Sequence, residues 1–113
     1  MFGHILHLMP RIRSGYKAVL IGVSGFTGRG MIGLYQGKNG TKSLSVVLRG
    51  IAGRSAEIHV DGSHAATIAI KNGRAVGRFS SAKGHALPDF HDGSNIEIRQ
   101  NGDVVLTGVL SRG

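Results

Sequence analysis

The second half of the chain alternates apolar and polar residues with a period of two. This alternation, typical of strands that bury one face, recurs in residues 56–61, 65–71, 74–79, 95–100 and 103–110. Asp-Gly or Asn-Gly pairs close three of the hairpins, and two-residue turns favour such pairs. Residues 31–36 and 43–50 form two further predicted strands, and 16–23 is another β-like run. The pattern predicts an all-β domain of about seven short strands, an antiparallel β-sandwich or a small barrel.

The alternation also predicts which side chains form the core and where the domain begins. Residues 1–15 form an N-terminal arm, apolar enough to dock on a neighbouring subunit, and residues 16–113 form a single β domain. A chain of 113 residues suits one domain. The predicted core consists of the inward apolar positions of the strands: Ile58, Val60, Ile68, Ile70, Phe79, Ile96, Ile98, Val104 and Leu106.

Charge is distributed unevenly along the chain. The formal net charge is +8, from 14 lysines and arginines against 6 acidic residues. The first acid is Glu57, so the first half is purely basic. A surface of one sign attracts an anionic partner such as nucleic acid or an anionic polysaccharide, although solubility alone could also explain it. The predicted anion-binding residues are Arg11, Arg13, Lys17, Arg29, Lys38, Lys42, Arg49 and Arg54.

The residues offer little for catalysis. There is no cysteine, no G-x-S-x-G nucleophile turn and no pair of carboxylates at catalytic spacing. We therefore predict no catalytic residue, no cofactor and no enzymatic activity. His85, Asp89, His91 and Asp92 fall in one long loop, but their spacing matches no known metal motif, so a metal at this loop stays an open alternative and no metal ligand is assigned.

No segment has the length of a membrane span. The apolar run at 18–23, which follows three basic residues, is shorter than the core of a signal peptide. We therefore assign no localisation, and an exported or assembly-associated role stays open.

Residues 18–33 read AVLIGVSGFTGRGMIG, an apolar run that enters a glycine-rich turn. Together with IAGRS at 51–55, this segment resembles the first βαβ turn of saccharopine-dehydrogenase-like NAD(P)-binding proteins. The resemblance implies that backbone N–H groups would hold a pyrophosphate. Glycines at 30, 33 and 37 disfavour the helix that this turn requires, so glycines placed in β-turns are the favoured interpretation. An NAD(P)-binding enzyme fragment is kept as an alternative function.

A second resemblance covers residues 29–110. The runs EIHVDGSHAATIAI, KNGRAVGRF and ALPDFHDGSNIEIRQNGDVVLTGVL are similar to small β-sandwich modules of uncharacterised, often exported, bacterial proteins. The resemblance implies an antiparallel β-sandwich and brings no catalytic residue. The leading hypothesis is a non-enzymatic binding or self-assembly module, forming a homo-oligomer or joining an assembly partner. Nonspecific binding of nucleic acid or another polyanion is the first alternative.

Overall fold

The computed structural model describes the backbone of residues 12–112 and the side chains of residues 15–112. Its regular secondary structure is almost entirely β-strand, which confirms the predicted fold class. It has nine strands rather than about seven, because residues 12–22 form a long first strand and a two-residue strand follows β8. The strands are β1 (Ile12–Gly22), β2 (Arg29–Gly37), β3 (Lys42–Arg49), β4 (Ser55–Val60), β5 (Ser63–Ala69), β6 (Arg74–Ser80), β7 (Asn95–Gln100), β8 (Asp103–Val109) and β9 (Ser111–Arg112).

The hairpin turns form where the sequence predicts them. Asp61, Asn72 and Asn101 adopt positive φ angles of 50°, 54° and 52°, and each is followed by a glycine with positive φ. Two consecutive residues in this region make the type I′ turn, whose twist matches that of the flanking strands. Asn and Asp tolerate the left-handed conformation better than other non-glycine residues. Local turn chemistry therefore sets the pairing of β4 with β5 and of β7 with β8.

All strand pairs are antiparallel, in the order β5-β4-β7-β8-β1-β2-β3-β6, and β9 pairs with the middle of β1. The sheet curls until its edge strands, β5 and β6, lie in contact. Within residues 12–112, the only bridge between them is Lys71–Arg74, in the turn that joins them. The sheet is therefore nearly closed into a barrel, whose two halves are β1-β2-β3-β6 and β5-β4-β7-β8.

The barrel interior contains the predicted core, with one shift. Seven of the nine predicted residues are buried, Phe79 is partly buried against them, and Val105 rather than Val104 is buried in β8. The shift follows from a β-bulge: Arg99 pairs with Val104 while Ile98 pairs with Leu106, so Val105 is an extra residue. A bulge reverses the alternation locally, and period-two counting cannot detect it.

The long loop between β6 and β7 packs against the core. It begins with a 3₁₀ turn at Ser81–Lys83. Leu87 is buried, and Phe90 packs edge-on against Tyr16 with ring centroids 5.7 Å apart. Strand β1 begins at Ile12, inside the range predicted as an arm, while residues 1–11 lie outside the described residues, so the arm stays a prediction. Between residues 12 and 112, no helix is long and apolar enough to span a bilayer.

Candidate anion-binding face

The outer surface of β1, β2, β3 and β6 carries the basic side chains in ordered rows. In each of these strands, alternate residues point into the barrel, and the residues between them point outward. The strand registers therefore place outward residues of four strands side by side. We call this surface the basic face. Its outward rows, which run across the strands, are Ile21–Arg29–Arg49–Arg74, Val19–Met31–Val47–Val76 and Lys17–Gly33–Ser45–Arg78.

Three arginines stand in register on adjacent strands. Arg29 of β2 pairs directly with Arg49 of β3, and Arg49 pairs with Arg74 of β6. All three are exposed. We call them the arginine row. Lys71, bridged to Arg74, extends the row across the turn. Directly opposed side chains have Cβ atoms about 5 Å apart, and like charges at this separation destabilise a sheet.

No acidic side chain neutralises the row within the part of the chain that the structure describes. The six acids lie on β4, β7, the start of β8, the β4–β5 turn and the β6–β7 loop: Glu57, Glu97, Asp103, Asp61, Asp89 and Asp92. Among the lysines and arginines with described side chains, only Lys42 and Arg99 form ion pairs. The charge of the arginine row is thus available to a ligand.

The Val19–Met31–Val47–Val76 row separates the arginine row from a second group of cations, which occur together with hydroxyl groups. Lys17 and Arg78 lie in the next row, and the ring of Tyr35 covers Gly33 between them. A Cβ atom at Gly33 would lie 2.5 Å from the Tyr35 hydroxyl, so a larger residue there would displace the ring. A groove of about 400 Å³ near this row is lined by Tyr35, Ser43, Ser45, Arg78 and Lys83, among others. Its guanidinium, ammonium and hydroxyl groups can all donate hydrogen bonds to an anion.

Only part of the predicted set of basic residues lies on this face. Lys17, Arg29 and Arg49 do. Lys38 lies in the β2–β3 turn, and Arg54 lies in the β3–β4 connection, beside a groove that Glu57 and Arg99 also line.

Of the remaining predicted residues, Lys42 is already paired, and the other two have side chains outside the described residues. Lys42 forms an ion pair with Asp89, which lowers the pKa of that carboxyl through a hydrogen bond and a direct charge interaction. Arg11 and the side chain of Arg13 lie outside the described residues.

Sequence reasoning missed Lys71, Arg74 and Arg78. The alternation in residues 74–79 already places Arg74, Val76 and Arg78 on one face of a strand. What it cannot show is that β6 pairs with β3, a contact between segments far apart in sequence. Dividing the chain at Glu57 therefore separates residues that the sheet brings together.

The long loop does not assemble its four potential metal ligands. Asp89 pairs with Lys42, Asp92 accepts a hydrogen bond from the Arg112 backbone N–H at 3.1 Å, and the ring of His85 packs against Phe79. His91 lies 3.6 Å from Asp61. In the described region, no three metal-ligating side chains come together.

The glycine-rich segment is a turn followed by a strand. β1 ends at Gly22, Ser24 and Gly25 form a turn with φ angles of 55° and 82°, and β2 starts at Arg29. Residues 29–37, where the dinucleotide-type interpretation needs a helix, form β2 instead. A Cβ atom at Gly28 would lie 2.9 Å from the Gly50 carbonyl oxygen, so this glycine allows close packing of two loops.

The opposite side of the barrel differs in its charges. We call the outer surface of β4, β5 and β7 the paired face. His59 lies 2.9 Å from Glu57, and Arg99 contacts Glu97 through two hydrogen bonds. The hydrogen bond from His59 lowers the pKa of Glu57, and the positive charges nearby act in the same direction. Glu97 and Arg99 thus neutralise each other on this face, and the Glu57 carboxylate has a hydrogen-bond partner in His59.

No protein-family model matches the chain, and no curated protein is significantly similar to it.

Proposed function

We propose that the protein is a non-enzymatic binding module that holds a polyanionic partner on its basic face. The observation that carries the proposal is the arginine row, in which three exposed arginines stand opposite one another without an acidic neighbour among the described residues. Such a row opposes folding, and a bound anion would relieve it.

The chemistry of the row suits closely spaced phosphate, sulfate or carboxylate groups. A guanidinium group is planar and always charged, and it can bind an oxyanion through two parallel hydrogen bonds. Neighbouring strands in a sheet lie about 4.8 Å apart, so the three guanidinium groups can follow a chain of anionic groups. Contacts of this kind position a polyanion and carry no sequence information. We therefore expect binding with little dependence on base sequence when the polyanion is a nucleic acid.

The test uses mixed-sequence duplex DNA as a probe of known charge density. Affinity should fall with salt, with a log–log slope of about −0.9 for each phosphate neutralised. The double variant Arg49→Gln/Arg74→Gln should bind about tenfold or more weakly at low salt, and its slope should be shallower by about 2.

A matched control is Lys38→Gln/Arg54→Gln, which removes the same charge from exposed positions off the basic face. This variant should retain most of the affinity and nearly the full slope. Equal losses in the two double variants would mean that net charge alone drives binding, and would contradict a site at the arginine row.

A further inference from the structure

An apolar stripe crosses the basic face between its two groups of cations. Val19, Met31, Val47 and Val76 stand in register across β1, β2, β3 and β6. Three of them are largely exposed, with 65% of Val19, 56% of Met31 and 61% of Val76 accessible to solvent. Single exposed apolar residues are common on protein surfaces, whereas contiguous patches often mark interaction sites.

A groove joins the stripe to the arginine row. It has a volume of about 490 Å³ and is lined by Val19, Arg29, Gly30, Met31, Val47 and Arg49. Its floor is aliphatic, and two guanidinium groups lie along one side. Lys17 and Arg78 lie beyond the stripe on the other side. A ligand that contacts both the aliphatic floor and the flanking cations must have an apolar part with anionic groups around it.

We propose that the basic face docks on an anionic lipid bilayer, with the apolar stripe at the boundary between headgroups and acyl chains and the flanking cations on lipid phosphates. This inference rests on the proposed function, because it names the polyanion. Aliphatic side chains flanked by Lys and Arg are the combination that binds peripheral proteins to anionic membranes. The cations involved are Arg29, Arg49, Arg74, Lys17 and Arg78.

Two other occupants fit the face less well. Nucleic-acid bases stack on aromatic side chains, and the described part of this face offers one ring, that of Tyr35 over Gly33, beside a stripe of valines and a methionine. A phosphate backbone alone would leave the stripe uncovered. A second copy of the chain, docked symmetrically through the same face, would bring two sets of unneutralised cations close together, and like charges across an interface oppose association.

The test measures co-sedimentation with vesicles of phosphatidylcholine containing about 30% phosphatidylglycerol, against vesicles of phosphatidylcholine alone. We expect binding to the anionic vesicles only. Each basic residue near such a surface changes partitioning by about fivefold, so Arg49→Gln/Arg74→Gln should weaken it about twenty- to thirtyfold. The stripe variant Val19→Thr/Met31→Gln/Val76→Thr keeps the side-chain shapes and the net charge, and it should weaken vesicle binding about tenfold or more.

A control on the opposite side of the barrel is Ala69→Ser, at an exposed apolar position of β5. It should leave vesicle binding unchanged. Circular dichroism and thermal unfolding of each variant establish that it is folded. Because the chain has no cysteine, Met31→Cys also accepts a single environment-sensitive dye, whose emission should shift to shorter wavelength on anionic vesicles, whereas dye on Lys38→Cys should not respond.

The duplex DNA probe separates failure of this inference from failure of the proposed function. A stripe variant that binds anionic vesicles as tightly as wild type would overturn membrane docking, even if the arginine row still binds DNA. Absence of binding to anionic vesicles would also overturn it. So would a wild-type dimer in solution that the stripe variant converts to monomer, because the stripe would then be covered by a second copy.

Discussion

The two outer faces of the barrel are built on the same alternation but use charge in opposite ways. On the paired face, Glu97 contacts Arg99 and Glu57 contacts His59. On the basic face, Arg49 has an arginine on either side and no carboxylate among its described neighbours. One face satisfies its charges internally, whereas the other presents charges that only an outside group can satisfy.

The difference separates a face whose charged groups do not oppose folding from a face whose charged groups do. Surface ion pairs each contribute little, typically between 0 and 1 kcal/mol, but they do not oppose the fold. A row of like charges does. An arrangement that weakens the folded state and leaves hydrogen-bond donors available is the kind expected at a binding site, and this supports our proposal that the basic face binds a partner.

The largest expected effect tests whether both faces rest on one core. Ile32 lies behind the basic face and Ile96 lies behind the paired face. The two side chains are 2% and 0% exposed. Ile32→Ala and Ile96→Ala should each lower the free energy of unfolding by about 2–5 kcal/mol, because each leaves a cavity in packed surroundings. Denaturant titration of both variants measures this. A loss below about 0.5 kcal/mol in only one of them would show that the two halves are not packed equally well.

A smaller loss of stability is expected when Asp61 is substituted. This residue lies in the β4–β5 turn, next to the paired face. Its carboxylate accepts hydrogen bonds from the Asn95 backbone N–H and the Ser94 hydroxyl, both at 2.8 Å, and these bonds lower its pKa from the ordinary value of 3.8. His91 nearby acts in the same direction.

Because the folded-state pKa is lowered, this stabilisation is full above about pH 4 and is lost as the pH falls through the folded-state value. Asp61→Asn should lower stability by about 1 kcal/mol near neutral pH, a reduced figure since the side chain is solvent-exposed. It should also flatten the loss of stability between about pH 5 and pH 2. Melting temperatures measured across this range check both points, and an unchanged acid slope would show that Asp61 does not contribute.

The smallest expected changes in stability follow removal of one arginine charge from each face, and they should have opposite signs. Arg99→Gln removes the partner of Glu97 and should destabilise the protein by roughly 0.2–1 kcal/mol. Arg49→Gln removes the central charge of the arginine row and should stabilise it by roughly 0.5 kcal/mol at low ionic strength. Both effects should shrink in high salt, which screens exposed charges. Destabilisation by Arg49→Gln at low salt would show that the row carries no repulsion.

The sequence predicts local features of this fold well and long-range ones poorly. Alternation and the Asp61-Gly62, Asn72-Gly73 and Asn101-Gly102 turns are local, and the strands and hairpins form accordingly. The bulge at Val105 depends on how β8 pairs with β7, which no local pattern records. The predicted boundary between the arm and the domain, at residue 15, falls inside strand Ile12–Gly22.

The candidate site shows the same limit. An excess of basic residues is visible in the composition, and Arg29 and Arg49 belong to the predicted set. Their assembly with Arg74 into one row depends on β3 pairing with both β2 and β6. Comparing the charges of the two halves of the sequence therefore suggests an anionic partner, but it does not locate the surface that would contact it.

The most direct test of the account compares unfolding with and without a polyanion. Inorganic polyphosphate suits it because it has no melting transition of its own. At low salt and without polyphosphate, Arg49→Gln/Arg74→Gln should unfold at a higher temperature than wild type, because repulsion in the row is relieved. With polyphosphate, wild type should gain more stability, since a ligand that binds only the folded state stabilises it by mass action. The account predicts that the order of the two melting temperatures reverses; an equal gain in both proteins, or a variant less stable than wild type without polyphosphate, would contradict it.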